Sequence, residues 1–185
     1  DEFDTFDLRT DQNDSWAYQR SREMTMIHDV FTRDTQAATG QPYTRSRFCH
    51  LYINGVYWGL YQTQERPEAS YGETYFGGDK EDYDVIKSTG GPQYQTEATD
   101  GTLAAWETMW QMARSVRNDP AAYYRLQGLN PDGSRNPAYP VLLDVDNLID
   151  YMAVIFYTGD EDAPLSVPFG NNRSNNWYAM RNRAG

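Results

Sequence analysis

Residues 47–53, RFCHLYI, run into Asn54-Gly55 and then into residues 56–65, VYWGLYQTQE. An Asn-Gly pair between two apolar-rich runs predicts a β-hairpin closed by a two-residue type I′ turn, because both central residues of that turn need φ > 0. That register sets Ile53 opposite Val56, Leu51 opposite Trp58 and Cys49 opposite Leu60. These six are expected to share one face and to form the core side of the hairpin. The other face then carries Phe48, His50, Tyr52, Tyr57, Gly59, Tyr61, Thr63 and Glu65. A glycine such as Gly59 inside a strand marks a bulge or a close approach by another group.

Working outward, residues 5–9 read as a short strand before the polar loop TDQNDSW. Met24, Ile27, Phe31, Thr35 and Ala38 fall at helical spacing, which predicts a helix over residues 21–39, ended by Gly40 and Pro42. The stretch ERPEASYGETYFGGDKEDY is polar and Gly-rich and reads as a loop with at most one short helical turn. Residues 83–87 read as a strand ended by STGGP. A helix is expected from a cap at Thr99 or Asp100 to about Arg117, with Leu103, Trp106, Trp110 and Ala113 on its apolar side. Asp119-Pro120 opens a shorter helix that Gly128 ends. Leu148, Tyr151, Met152, Ile155 and Phe156 predict a helix from Asp144 or Asp146 to Tyr157, ended by Gly159. The acidic turn GDEDAP and a strand WYAMRN follow. This order gives an α+β fold class rather than repeated βαβ units.

The chain has 185 residues, suited to one domain, and a net charge of −11. Aromatic residues make up 15% of it, which argues for a folded protein rather than an acidic disordered tail. The acidic balance, without any Lys/Arg stripe, argues against nucleic acid and anionic membrane surfaces as partners. One cysteine excludes an intrachain disulfide, and two histidines exclude zinc fingers and HExxH sites. No apolar run reaches the length of a membrane span.

Three acids, Asp160, Glu161 and Asp162, directly follow a helix C-terminus, where the macrodipole disfavours negative charge. They are either a solvated acidic turn or a functional site that breaks a local rule. Asn175 and Asn176 lie one loop away, and a carboxylate with an amide oxygen is a ligand set suited to Mg²⁺. Glu65 is either a surface acid paired with a nearby cation or the orienter of a lysine that contacts phosphate. Lys87, at the end of an apolar strand, is either simply exposed or a point charge for nucleotide phosphates. His50 and Cys49 read as structural, and the Trp106/Trp110 pair as core packing rather than a sugar platform. STGGP is a weak phosphate-loop signal, and no Walker A, GxGxxG or GxSxG motif is present. The D-x-N of Asp11 and Asn13 lacks the rest of an EF-hand loop.

Together, LYINGVYWGLYQTQER, YFGGDKEDYDVIK, DVDNLIDYMAVIFYTGDEDAP and NNWYAMR resemble the CotH kinase family, the spore coat protein H group, over residues 6–181. The resemblance implies an atypical protein-kinase-like domain that uses ATP and Mg²⁺ (or Mn²⁺) to phosphorylate Ser/Thr hydroxyls of secreted, surface or coat proteins. It implies Asp162 as catalytic base or hydroxyl orienter, Asn175 or Asn176 as a metal-binding amide, and Glu65 and Lys87 at the nucleotide. It implies an extracellular or cell- or spore-surface location. Family members continue into a WDxD-type strand that supplies a second metal-binding Asp, whereas this chain stops at Gly185. The expectation is therefore a single domain cut short at both ends and flanked by further domains. Two other readings are a non-catalytic surface or adhesin module on the same fold, and a carbohydrate-binding or glycan-processing module. The last would require exposed aromatics, whereas most are expected to be buried.

Overall fold

The computed structural model describes residues 5–16, 18, 22–89, 95–167, 170 and 173–184. Two three-stranded antiparallel sheets and five α-helices make up its regular structure. The elements run in the order β1 (Phe6–Arg9), α1 (His28–Ala38), β2 (Ser46–Ile53), β3 (Val56–Glu65), α2 (Ala69–Phe76), a 3₁₀ turn (Lys80–Asp82) and β4 (Tyr83–Ser88). Then follow β5 (Thr96–Asp100), α3 (Ala104–Ser115), α4 (Ala121–Leu126), α5 (Val145–Thr158) and β6 (Tyr178–Asn182). The strand orders are β1-β3-β2 and β5-β4-β6, so the α+β class holds.

The hairpin forms as its turn chemistry demands. Asn54 and Gly55 sit at φ 51° and 79°, and Ile53 faces Val56. Beyond Tyr52↔Tyr57 a bulge shifts the register, so Leu51 lies opposite Gly59 and Cys49 opposite Tyr61 rather than Leu60. Gly59 takes up the distortion at φ 148°, a conformation a side chain would resist. The expected core face is not buried: Val56 is 62% and Trp58 60% exposed, and Cys49 is only half-buried. No helix or strand among the described residues covers the hairpin tip. The buried point of this sheet is polar Gln62, 1% exposed.

The apolar core instead sits on the second sheet. Tyr83 and Val85 of β4 pack with Ala69 of α2, and Met180 of β6 joins them. The predicted loop over residues 65–83 thus contains a full helix. Its Gly72 lies so near the Tyr83 ring that a Cβ there would be 2.6 Å from ring carbons. The Tyr83 hydroxyl donates to the Gly77 carbonyl at 2.6 Å and ties the end of that helix to β4.

Helix α1 begins at His28, later than its apolar spacing predicts. The Asp14 carboxylate accepts from the backbone N–H of Thr25 (3.3 Å) and of His28 (3.2 Å), and from the Thr25 hydroxyl (3.0 Å). Those bonds hold the preceding segment out of the helix. Residues 96–100, expected to lead into a helix cap, form β5 against β4, with Ala98 opposite Ile86. Asp84 then accepts from the Thr102 N–H at 2.7 Å, which closes the turn before α3. Of STGGP, Gly90, Gly91 and Pro92 lie outside the described residues.

Aromatic burial also departs from expectation. Trp16, Trp58, Trp110, Phe156 and Tyr157 are exposed. The buried cluster on the second sheet is small, Ala69, Tyr83 and Val85 with Met180 against them, and does not take up these rings. Trp106 is half-buried between Trp110 (ring centroids 5.9 Å) and Trp177 (5.1 Å), so the pair is part of a three-ring row rather than a closed core.

Candidate functional site

Helix α5 delivers the site. Asp144 caps its start by accepting from the Asn147 N–H at 2.9 Å, and Gly159 ends it in the left-handed region at φ 67°. Val154 and Ile155 are buried, which fixes the helix in rotation, whereas Leu148 and Phe156 of the expected stripe are exposed. The chain leaves through Asp160, whose side chain accepts from the Asp162 N–H at 2.9 Å. One of the three clustered acids therefore shapes the turn that presents another.

Asp162 is held from three sides. Oδ1 accepts from the wholly buried Ser166 hydroxyl in a very short contact, and from Asn175 Nδ2 at 3.0 Å. Oδ2 accepts from Asn176 Nδ2 at 3.0 Å, and the same amide donates to the Asp162 carbonyl at 2.8 Å. Asn175 is 8% exposed, and Asn176 adopts φ 48°, which Asn tolerates better than most residues. The insert between Asp162 and Asn175 does not separate them. Its described residues fold back through bridges Asp162↔Ser166 and Leu165↔Ser174, and the Asn175 N–H reaches the Pro164 carbonyl at 3.0 Å. Trp177 then packs on Trp106 and anchors the entry to β6.

A carboxylate only accepts hydrogen bonds, so both amides present nitrogen to it. Amide oxygens are a ligand type that a hard cation takes, but here both amides turn nitrogen, not oxygen, toward the carboxylate. No cluster of three His, Cys, Asp or Glu side chains able to hold a metal occurs among the described residues.

Glu65 and Lys87 sit on different sheets and have different partners. Glu65 ends β3, opposite Phe6, and its Oε2 accepts from the Arg45 N–H at 2.7 Å and faces Arg45 Nη1 at 3.5 Å. The Tyr75 hydroxyl donates to Oε1 in a very short contact. Lys87, on β4, pairs with Glu97 of β5 at 3.1 Å. Of the two readings of Glu65, the pairing with a nearby cation is the one found, and the cation is Arg45 rather than a lysine. Nothing in the local pattern of residues 41–46 announces this, because the partners are brought together by the hairpin ladder. His50 Nδ1 lies 3.2 Å from the Tyr57 hydroxyl across the hairpin and has no place at the Asp162 site.

A second polar centre escapes sequence reading altogether. Gln62 Nε2 donates to Asp11 Oδ1 at 2.7 Å and to Asp29 Oδ2 at 3.3 Å, while Arg33 donates to Gln62 Oε1 at 3.4 Å. Arg9 pairs with Asp29 at 3.1 Å. Asp11 Oδ2 is buried without a hydrogen-bond partner. Burial, with Asp29 and Asp14 nearby, pushes the Asp11 carboxyl up to about 6. The D-x-N pattern at residues 11–13, discounted as an EF-hand loop, carries no sign of this network.

No helix among the described residues is long and apolar enough to cross a membrane. No curated protein and no solved structure matches the chain. A family model does: that of the CotH kinase protein matches residues 4–183. With the hairpin, the α5 turn and the NNWY segment all inside that match, the chain belongs to the CotH kinase family.

Proposed function

We propose that this chain is an ATP- and Mg²⁺-dependent (or Mn²⁺-dependent) phosphotransferase domain on an atypical protein-kinase-like fold. It acts on Ser/Thr hydroxyls of secreted, surface or coat proteins, at a cell or spore surface. The observation that carries the reading is the Asp162 carboxylate, fixed by Ser166, Asn175 and Asn176 at the end of α5. Phosphoryl transfer needs such a positioned aspartate to accept the substrate hydroxyl's proton or orient it, and it relies on positioning more than on covalent chemistry. Asp162 takes that part. Asn175 and Asn176 would offer their amide oxygens to the metal, whose role is to neutralise charge on the transferred phosphoryl group. Lys87 would reach nucleotide phosphate from β4 by exchanging Glu97 for it. The family membership supports the chemistry and the surface setting.

The test is incubation of the protein with labelled ATP and Mg²⁺ or Mn²⁺, in parallel with Asp162→Ala. Incorporation that depends on Asp162 is expected, and undiminished incorporation in the variant overturns its assignment. A second reading, a non-catalytic adhesin module on the same fold, is favoured by the exposed aromatic tip of the hairpin, Tyr52, Tyr57 and Trp58. It predicts no ATP-dependent signal and a partner bound through those rings.

A further inference from the structure

Arg45 stands just before β2, in a segment pinned to two helices. Gln41 donates to Asp150 of α5 at 2.7 Å and accepts from Asn147 of α5 at 2.9 Å. The Tyr43 carbonyl accepts from the Tyr71 hydroxyl of α2 at 2.8 Å. The Arg45 N–H is bound by Glu65, so the main chain is fixed on both sides of the guanidinium.

The guanidinium itself is also fixed. Its carbon lies 4.1 Å from the centroid of the Tyr75 ring and 4.9 Å from that of Tyr43. Glu65 Oε2 meets Nη1 at 3.5 Å, and Tyr75 in turn donates to the other Glu65 oxygen. Two ring faces and a carboxylate thus set its plane and direction. Yet the Arg45 side chain is 47% exposed, against 19% for Glu65. A guanidinium carries five N–H donors in a rigid fork, more than one carboxylate and one phenol can saturate.

We infer that Arg45 is a pre-organised phosphate-binding residue, oriented by Glu65 and clamped by Tyr43 and Tyr75, and that its ligand is the polyphosphate of a nucleotide. The nucleotide part of this rests on the phosphotransferase reading; the anion site rests on the geometry alone. A long cation normally loses rotamer freedom when it binds, and here that ordering is already present in the free protein. Glu65 fixes the fork without filling it, as an acid does in the cation–carboxylate pairs that position nucleotide phosphates. A planar fork can meet two phosphate oxygens at once, which an ammonium cannot.

The experiment is calorimetric titration of the whole chain with Mg-ATP and, separately, with pyrophosphate. The variants are Arg45→Ala, Arg45→Lys and Arg47→Ala; Arg47 is a neighbouring exposed arginine that controls for net charge. Circular dichroism establishes that each variant is folded. Affinity for both probes is expected to fall about tenfold or more in Arg45→Ala, as loss of a charge-assisted bidentate contact implies. Arg45→Lys, which keeps the charge and serves if the alanine variant unfolds, is expected to recover only part of it. Arg47→Ala is expected to stay within about twofold, as a screened surface charge should. If the wild type binds Mg-ATP and both Arg45 variants match it, the inference is overturned and the phosphotransferase reading stands. If pyrophosphate binds in an Arg45-dependent way and Mg-ATP does not, the anion site stands and the nucleotide reading falls. If neither probe binds the wild type, both are overturned.

Discussion

Gln62 donates its buried amide to one oxygen of Asp11 at 2.7 Å and leaves the other oxygen of that carboxylate buried without a partner. Gln62 belongs to β3 and Asp11 to the loop after β1, so this bond fastens the edge of the first sheet to its central strand. Asp29 and Arg33 bring α1 to the same point. An ionised carboxylate with an unsatisfied oxygen in this setting is costly.

The cost has a definite pH dependence. The folded-state pKa of Asp11 is about 6, against the ordinary 3.8, chiefly because of burial and then of Asp29 and Asp14. Arg9 and Arg33 act in the opposite direction without cancelling it. A carboxyl raised on folding favours the native state while protonated, so no penalty exists below about pH 4. The penalty grows as pH rises from there and is complete once pH passes about 6. A shift of roughly two units corresponds to about 3 kcal/mol. Asp11→Asn keeps the acceptor for Gln62 and removes the charge. It is expected to raise the urea midpoint at pH 7.5 and to flatten the fall in stability between pH 4 and 7. Equal midpoints for the two proteins across that range would show that the carboxyl is not perturbed.

Asp14 is the neighbouring acid with the opposite behaviour. Burial opposes its ionisation, but bonds from the Thr25 and His28 backbone N–H groups and from the Thr25 hydroxyl outweigh it and hold its pKa below 3.8. Since α1 has no side-chain cap at Ile27, Asp14 supplies the N-terminal acceptor from a distance in sequence. Asp14→Ala is expected to cost about 1–2 kcal/mol, as loss of a helix cap does. Hydrogen exchange at the His28 amide should accelerate more than exchange in β4. Protection left intact at His28 would contradict the capping role.

Gly72 and Tyr83 make a packing prediction. A Cβ at Gly72 would stand 2.6 Å from the Tyr83 ring, and that ring is held by its hydroxyl bond to Gly77. Gly72→Ala should therefore destabilise the protein by about 1–3 kcal/mol through overpacking, despite the better helix propensity of alanine. In a double-mutant cycle with Tyr83→Leu the two effects should be strongly non-additive. Simple additivity would mean that α2 and β4 do not meet at this point.

These sites show which parts of the fold were legible in the sequence. Asn54-Gly55, Asp144 and Gly159 act through their own backbone and nearest neighbours, so turn and cap chemistry located the hairpin and α5. What failed was non-local. Whether Trp58 is buried depends on which element covers the hairpin tip, and the bulge beside Gly59 moved every pairing beyond Tyr52 by one residue. The β5 strand was missed because Thr-rich TEATD gains its strand character from lying on β4. At the candidate site, residue chemistry marked the acids 160–162 with Asn175 and Asn176, the family resemblance singled out Asp162, and the structure brings Asp162 into contact with both amides. Ser166 was invisible because a serine in the stretch LSVP carries no sign of what it faces. Of the two readings of Glu65, pairing with a nearby cation is the one the structure shows, but Arg45, twenty residues earlier, reaches it only through the sheet and so was not named.

Ser166 carries the last prediction. It is completely buried, its N–H reaches the Arg173 carbonyl, and its hydroxyl donates to the same Asp162 oxygen that Asn175 reaches. Ser166→Ala removes one donor while leaving both asparagine bonds, so Asp162 keeps its place but loses one of its tethers. If Asp162 orients a substrate hydroxyl, the loss acts on the transferring step and not on nucleotide binding. The phosphotransfer kcat should fall about tenfold or more, with KM for ATP nearly unchanged, because small misplacements of a positioned group cost rate rather than affinity. The melting temperature should drop by only a few degrees, as for loss of a single hydrogen bond. The readouts are initial rates over a range of ATP concentrations alongside a thermal melt. A rise in KM at constant kcat would place Ser166 in nucleotide binding and remove it from the support of Asp162.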